Sequence, residues 1–122
     1  MLKICGKDYV VPELSFTEAE ILENESGMRL YDVVFGNSTM TAARAFVQVV
    51  TGADSATAKA MLDKHLTEGG YKAFGEIMDA FVAAVFDSDF FCAMLGLPNK
   101  AEREAQEKAK REAREKESQS ET

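Results

Sequence analysis

Apolar residues recur at helical spacing through most of this chain, in segments separated by glycine or proline. The clearest segment begins at Tyr71, from which apolar side chains return every three or four residues as far as Phe86. That period places them along one face of an α-helix. Two shorter segments with the same period, residues 39–51 and 55–66, come before it. We therefore expect a mainly helical domain in which these faces are buried against one another.

Capping and turn-forming residues predict where the helices begin and end. Ser15 and Glu18 have the spacing of a capping box, which starts a helix, and Gly27 suits the left-handed position that ends one. Gly69 and Gly70 form a clear stop before the Tyr71 segment. These signals predict helices over residues 16–25, 28–34, 39–51, 55–66 and 71–86, and Asp87 to Asp89 either kink the last of them or cap a further helix over residues 90–95.

The first eleven residues have a different pattern. Leu2 to Ile4 and Tyr9 to Val11 are rich in β-branched and other large apolar residues, and they flank the turn formers Gly6 and Asp8. This pattern predicts a short β-hairpin with a turn over residues 5–8. Pro12 ends the hairpin because proline cannot extend a strand ladder.

The composition changes after Pro98. Residues 99–122 contain seven Lys or Arg, seven Glu and no aromatic residue. Pairs such as Glu104 and Lys108 have the i,i+4 spacing that stabilises a helix, but no large apolar residue anchors the segment. We expect a helical domain over residues 1–98, with about five helices and an N-terminal β-hairpin, and a charged, partly helical tail over residues 99–122.

The charge distribution narrows the classes of partner. The chain has a net charge of −7, and because the tail is neutral this charge lies entirely on residues 1–98. An acidic body repels phosphates, so we expect no nucleic-acid binding. The longest apolar run, Ala80 to Phe86, is too short to span a membrane, and the first residues lack the apolar core of a signal peptide. These features favour a cytoplasmic protein in which Cys5 and Cys92 are free, buried thiols.

Residues with catalytic or metal-binding potential are few. His65 is the only histidine, and its neighbours at helical spacing do not form a nucleophile and orienting pair, so we expect an edge histidine. The chain has no Cys-x-x-Cys and no histidine pair to bind a metal. The acidic cluster near the N-terminus, Glu18, Glu20, Glu23 and Glu25, is typical of a solvated helix face. We expect neither enzymatic activity nor a cofactor.

Aromatic residues are too frequent after residue 70 for a domain this small to bury all of them. Most must belong to the core, and the remainder could form a surface for a partner protein. The residues that we expect to contribute exposed apolar area to that surface are Phe74, Phe86, Phe90, Phe91 and Met94.

The order of these features resembles the small tail assembly chaperones of long-tailed, non-contractile bacteriophages. The resemblance spans roughly residues 2–117: a hairpin, a glutamate-rich helix, a later Gly-Gly followed by an aromatic helix, and a charged C-terminus. The matching residues after the hairpin are Glu23, Glu25, Gly27, Leu30, Asp32 and Val33.

That family implies a non-enzymatic role in the host bacterial cytoplasm and no place in the mature virion. Its members bind the tape measure protein before tail tube subunits polymerise around it. A longer product made by ribosomal frameshifting recruits the tube protein. A homo-oligomer is also compatible with this role.

Two other classes of function remain open from the residues alone. The first is an acidic inhibitor that mimics DNA and blocks a host nucleic-acid enzyme, which would need carboxylates spaced along one exposed face. The second is a small enzyme, which would need a pocket that joins His65 to several carboxylates.

Overall fold

The mainly helical fold and the N-terminal hairpin are both confirmed. The structure, a computed structural model, describes the backbone of residues 1–120 and the side-chain surroundings of residues 1–116. Helices account for 74% of it. The elements are β1 Leu2–Ile4, β2 Lys7–Tyr9, α1 Phe16–Ser26, α2 Leu30–Phe35, α3 Thr39–Thr51, α4 Ser55–Phe86, α5 Asp89–Leu95 and α6 Lys100–Ser120.

The hairpin turn is tighter than the sequence pattern predicts. β1 and β2 are antiparallel with Ile4 opposite Lys7, so only Cys5 and Gly6 connect them. Both connecting residues have positive φ, 51° and 79°, as in the two-residue turns that match strand twist. The Cys5 N–H donates to Nδ1 of His65 at 3.1 Å, and this bond fastens the turn to α4. Leu2 and Ile4 then point into the core.

Side chains of α1 and α3 define the junction between α1 and α2. Gly27 ends α1 in the left-handed conformation, with φ of 71°. The Glu23 carboxylate reaches forward and accepts from the Leu30 N–H, the first of α2, at 2.8 Å. From α3, Arg44 donates to the Glu25 carbonyl at 2.7 Å, where a cation complements the C-terminal end of the helix dipole.

Helix α4 consists of two arms joined at Gly70. It spans Ser55 to Phe86 without an intervening loop, but Gly70 has a non-helical backbone with φ of 63° and ψ of −153°. The stop predicted at Gly69 and Gly70 is therefore a sharp break within one long element. We call residues 55–69 the first arm and residues 71–86 the second arm.

The core lies where α1 and α4 both pack against α3. Phe46 of α3 and Phe81 of the second arm are both buried, with ring centroids 4.8 Å apart. Ser88, between α4 and α5, is also buried. Its hydroxyl donates to the Leu14 carbonyl and accepts from the Phe91 N–H at 3.1 Å. The residue before α5 thereby holds the segment that leads into α1.

Helix α6 extends from this body with nearly all of its described side chains in solvent. Asn99 begins it, because its side chain accepts from the Glu102 N–H at 2.8 Å. Arg103 alone among the side chains of residues 100–116 is partly buried, and its guanidinium lies 5.0 Å from the centroid of the Phe86 ring. Residues 121 and 122 of the predicted tail lie outside the described part of the chain. The domain boundary near residue 98 stays a prediction.

Candidate partner-binding surface

The second arm of α4 carries a row of apolar side chains that the core covers incompletely. Tyr71, Phe74, Met78 and Val82 follow one another at three- and four-residue intervals, so they lie on one face of the helix. Tyr71 is 89% exposed and Val82 49% exposed, whereas the other two are half-buried. With Phe86, one turn further on, they form what we call the α4 stripe. It is roughly 22 Å long, at 1.5 Å per residue.

A first groove lies at the Tyr71 end of the α4 stripe. It has a volume of about 250 Å³ and is lined by Met40, Gly70, Tyr71 and Phe74. The rings of Tyr71 and Phe74 meet edge to face with centroids 6.4 Å apart. Met40 was expected on the buried face of α3, but it is 62% exposed because that face begins only at Ala42. Its thioether side chain instead forms one wall of this groove.

A second groove lies at the Phe86 end of the α4 stripe. Its volume is about 170 Å³, close to that of cavities that accept a benzene ring, so it has room for one large apolar side chain. The ring of Phe35 on its wall lies 4.9 Å from that of Tyr31, which extends the apolar surface along α2. Every lining residue is apolar: Val34, Phe35, Met78, Phe81, Val82, Val85, Phe86 and Leu97.

A third groove continues the surface beyond Met40 and is more polar. It has a volume of about 340 Å³ and lies between α3 and the first arm of α4. Leu62 and Leu66 form its apolar part, while Arg44 and Lys59 bring two cations to it. Met40 lines both this groove and the first, and the α4 stripe runs from the first groove to the second, so the three grooves border a surface that can bind apolar side chains of another protein.

The structure separates the five residues predicted to bind a partner. Phe74 and Phe86 belong to the α4 stripe, although Arg103 covers part of the Phe86 ring. Phe90 is half-buried and packs edge to face on Phe16 of α1, with centroids 6.0 Å apart. Met94 is exposed on α5, one turn after Phe90. Neither Phe90 nor Met94 lines the grooves along the α4 stripe.

The expected exposure of Phe91 is wrong. Its side chain is 0% exposed, so it contributes no contact surface in this fold. Adjacent helix positions differ by about 100° in direction, so the two rings can have different surroundings, and here Phe90 is half-buried while Phe91 points into the core. The hydrogen bond from the Phe91 N–H to Ser88 starts α5 in the orientation that turns the Phe91 ring inward.

Several residues of this surface were missed at the level of sequence. The sequence pattern assigns no role to Tyr31 and Phe35, and it places Met40 and Val82 on helix faces that are expected to be buried. The i,i+4 spacing of Tyr31 with Phe35 was a visible signal. It shows that the two rings share a face, but which face points outward depends on the packing of α2 against the body.

The groups with catalytic potential have structural roles. Hydrogen bonds from the Ser15 hydroxyl and backbone N–H hold the pKa of Glu18 below its ordinary value, and Glu23 accepts from the Leu30 backbone. His65 is half-buried at the edge of the body and accepts from Cys5. Burial raises the pKa of the Cys92 thiol, which disfavours its reactive thiolate. Cys5, by contrast with our expectation, is exposed, because it lies in the hairpin turn.

Comparisons with protein-family models, with curated proteins and with solved structures each found no match. Within the described residues, no three histidine, cysteine or acidic side chains lie together in a way that could hold a metal ion. None of the helices in the described part of the chain has the length and hydrophobicity needed to cross a membrane.

Proposed function

We propose that this chain is a non-enzymatic phage tail assembly chaperone that binds and solubilises the tape measure protein before the tail tube polymerises. The observation that carries the proposal is the α4 stripe with its two apolar grooves, which lie on a body of net charge −7. Such a surface suits binding to another protein through apolar side chains, with the surrounding charge keeping the complex in solution.

The dimensions of the surface fit a helical partner. A stripe roughly 22 Å long corresponds to about four turns of α-helix. Amphipathic helices bind such surfaces by placing apolar anchors from successive turns into grooves. A tape measure protein is long and helical, and it exposes apolar stripes until the tube encloses it. Many weak contacts of this kind allow displacement by tube subunits without ATP.

The residues that carry the family resemblance build the edge of this surface. Gly27 and the Glu23 to Leu30 hydrogen bond set the turn from α1 to α2. Leu30 and Val33 then bury one face of α2, and Tyr31 is left exposed on the other. In this proposal the motif acts indirectly, because it presents Tyr31 and Phe35 beside the second groove.

The remaining parts of the proposal concern the setting. The partners are the tape measure protein and a longer frameshift product that recruits the tail tube protein, and a homo-oligomer is allowed. The complex forms in the host bacterial cytoplasm and is absent from the mature virion. A tube gene upstream, a very long gene downstream and a slippery heptamer near the end of this reading frame would support these assignments.

The direct experiment is co-expression with the long downstream protein, followed by pull-down at low and high salt. We expect a soluble complex at both salt levels, since apolar contacts are only weakly screened. Val82→Glu, on the α4 stripe, should reduce recovery strongly. The matched control is Val10→Glu, which introduces the same charge at another exposed valine, outside the grooves along the stripe.

The same experiment separates the proposal from the acidic inhibitor. A complex between a DNA mimic and a basic enzyme should lose affinity steeply as salt screens the charges. Failure to recover the long protein, together with salt-sensitive capture of a nucleic-acid enzyme, would overturn the proposal. Equal recovery with Val82→Glu and Val10→Glu would place the chaperone contact elsewhere.

A further inference from the structure

One glycine lies within the α4 stripe. Gly75 is four residues after Tyr71 and three before Met78, so it shares their helix face. Its backbone is helical, because the only non-helical residue inside α4 is Gly70. A glycine within a helix is less favourable than alanine, since it loses more backbone freedom on folding. Its presence in the middle of an apolar stripe therefore needs a reason.

The fold of this chain supplies a reason for each of the other seven glycines but not for Gly75. Two would clash if they carried a side chain: a Cβ at Gly36 would lie 2.2 Å from the Asp32 carbonyl oxygen, and one at Gly69 would lie 2.6 Å from Cβ of Ala73. A Cβ at Gly75 would meet no atom within 4 Å. The remaining five have positive φ: Gly6, Gly27, Gly52, Gly70 and Gly96.

We infer that a helix of the partner protein crosses the α4 stripe at Gly75, with its backbone close to that of α4, and that this helix is apolar on its contact face and basic beside it. Small residues at a crossing point let two helices approach closely. Gly75 lies between the two grooves along the stripe, so a helix that crosses there can place one apolar side chain in each. The inference rests on the proposed function for the identity of the partner.

The charge beside the stripe defines the second property of the partner helix. Glu76 and Asp79, one and four residues after Gly75, are both exposed, and with the exposed Lys72 on the same side of the helix they give this rim a net charge of −1. Carboxylates at this rim favour a partner with lysine or arginine next to its apolar face. A second copy of this chain fits poorly, because its own α4 stripe has the same carboxylates beside it, and its cation-rich helix, α6, has no apolar residue larger than alanine.

The test uses substitutions with opposite effects on stability and binding. Gly75→Ala should raise the thermal midpoint of the free protein by about 2–6 °C, because it improves helix propensity. The same added methyl group, and more so Gly75→Leu, should weaken the complex roughly tenfold by holding the helices apart. Ala60→Leu is the control, since Ala60 is an exposed residue of the first arm outside the grooves.

Two probes separate this inference from the proposed function. One is the co-expressed tape measure protein, and the other is a synthetic helical peptide with leucine on one face and lysine beside it, compared with the same peptide carrying glutamate. The inference is supported if the lysine peptide binds tightly to wild type, if Gly75→Leu weakens this binding and if Ala60→Leu does not. Equal binding by the Gly75 variants, or equal binding of the glutamate peptide, would overturn it. If wild type binds the lysine peptide but not the tape measure protein, the proposed function is wrong and the inference is still supported.

Discussion

At the scale of single residues, the aromatic side chains of this chain divide into core and surface. Phe81 is buried against Phe46 in the centre of the body, whereas Phe35, which also lines the second groove, is 45% exposed. The two rings are near each other yet have different surroundings. Truncating Phe81 removes packed core, and truncating Phe35 removes surface that we assign to partner binding.

Phe81→Ala should therefore lower the free energy of unfolding by about 3–5 kcal/mol, the usual cost of removing a buried ring and leaving a cavity. Phe35→Ala is the matched control and should cost about 1 kcal/mol or less, because its ring is already partly hydrated. Urea unfolding followed by circular dichroism measures both. A loss below about 1 kcal/mol for Phe81→Ala, with partner binding abolished, would instead assign that ring to the contact surface.

At the scale of elements, local capping determines where helices begin. The Ser15 hydroxyl and N–H bind the Glu18 carboxylate, which closes the first turn of α1. Asp54 starts α4 in a similar way, since its carboxylate accepts from the Thr57 N–H at 2.7 Å and the bond lowers the pKa of Asp54. Both contacts are stronger with an ionised carboxylate and should weaken in acid.

Stability at the start of α1 should depend on pH through Glu18. Because the Ser15 hydrogen bonds lower the pKa of Glu18 in the folded state, the unfolded state takes up the proton first as pH falls. The stabilisation is complete above the unfolded pKa of about 4.3 and is lost as pH falls through the folded pKa. The difference in free energy of unfolding between wild type and Glu18→Gln should thus become smaller from pH 7 to pH 3.

Glu20→Gln is the control for this measurement, because Glu20 is an exposed glutamate on the same helix. The difference in free energy of unfolding between wild type and Glu20→Gln should change less with pH. Chemical denaturation at each pH gives both differences. A difference for Glu18→Gln that stays constant across the range would show that the carboxylate charge does not contribute through the cap.

The bounds of helices can be predicted from sequence where a local capping or glycine motif marks them. The Ser15 and Glu18 spacing, Gly27 and the Gly69-Gly70 pair each mark a boundary or break that the structure confirms. Which side of a helix faces the core is harder to predict, as Phe90 and Phe91 show. Periodicity indicates that adjacent positions face different ways, but only the Ser88 contacts with Leu14 and Phe91 decide which ring turns inward. The candidate surface was therefore predicted only in part.

At the scale of the whole molecule, the net negative charge and the apolar surface both lie on the body, residues 1–98, and the tail has neither. The body carries the net charge of −7 and the α4 stripe, while α6, with seven Lys or Arg and six Glu, has a net charge of +1 and is exposed over its described side chains except for Arg103. The contact between Arg103 and Phe86 places the first turn of α6 over the end of the stripe. The tail thus covers part of the surface that we assign to the partner.

Truncation after Pro98 should leave cooperative folding intact and shift the thermal midpoint by only a few degrees. It mainly removes the packing of Arg103 on the Phe86 ring, and a cation over an exposed ring contributes about 0.5–1 kcal/mol. Arg103→Ala in the full chain is the matched variant, and it should reproduce the small shift if this packing is what α6 adds to stability. A non-cooperative transition on truncation would show that the folded domain extends beyond residue 98. If both variants keep their midpoint and bind the partner more tightly, then α6 competes with the partner for the Phe86 end of the α4 stripe.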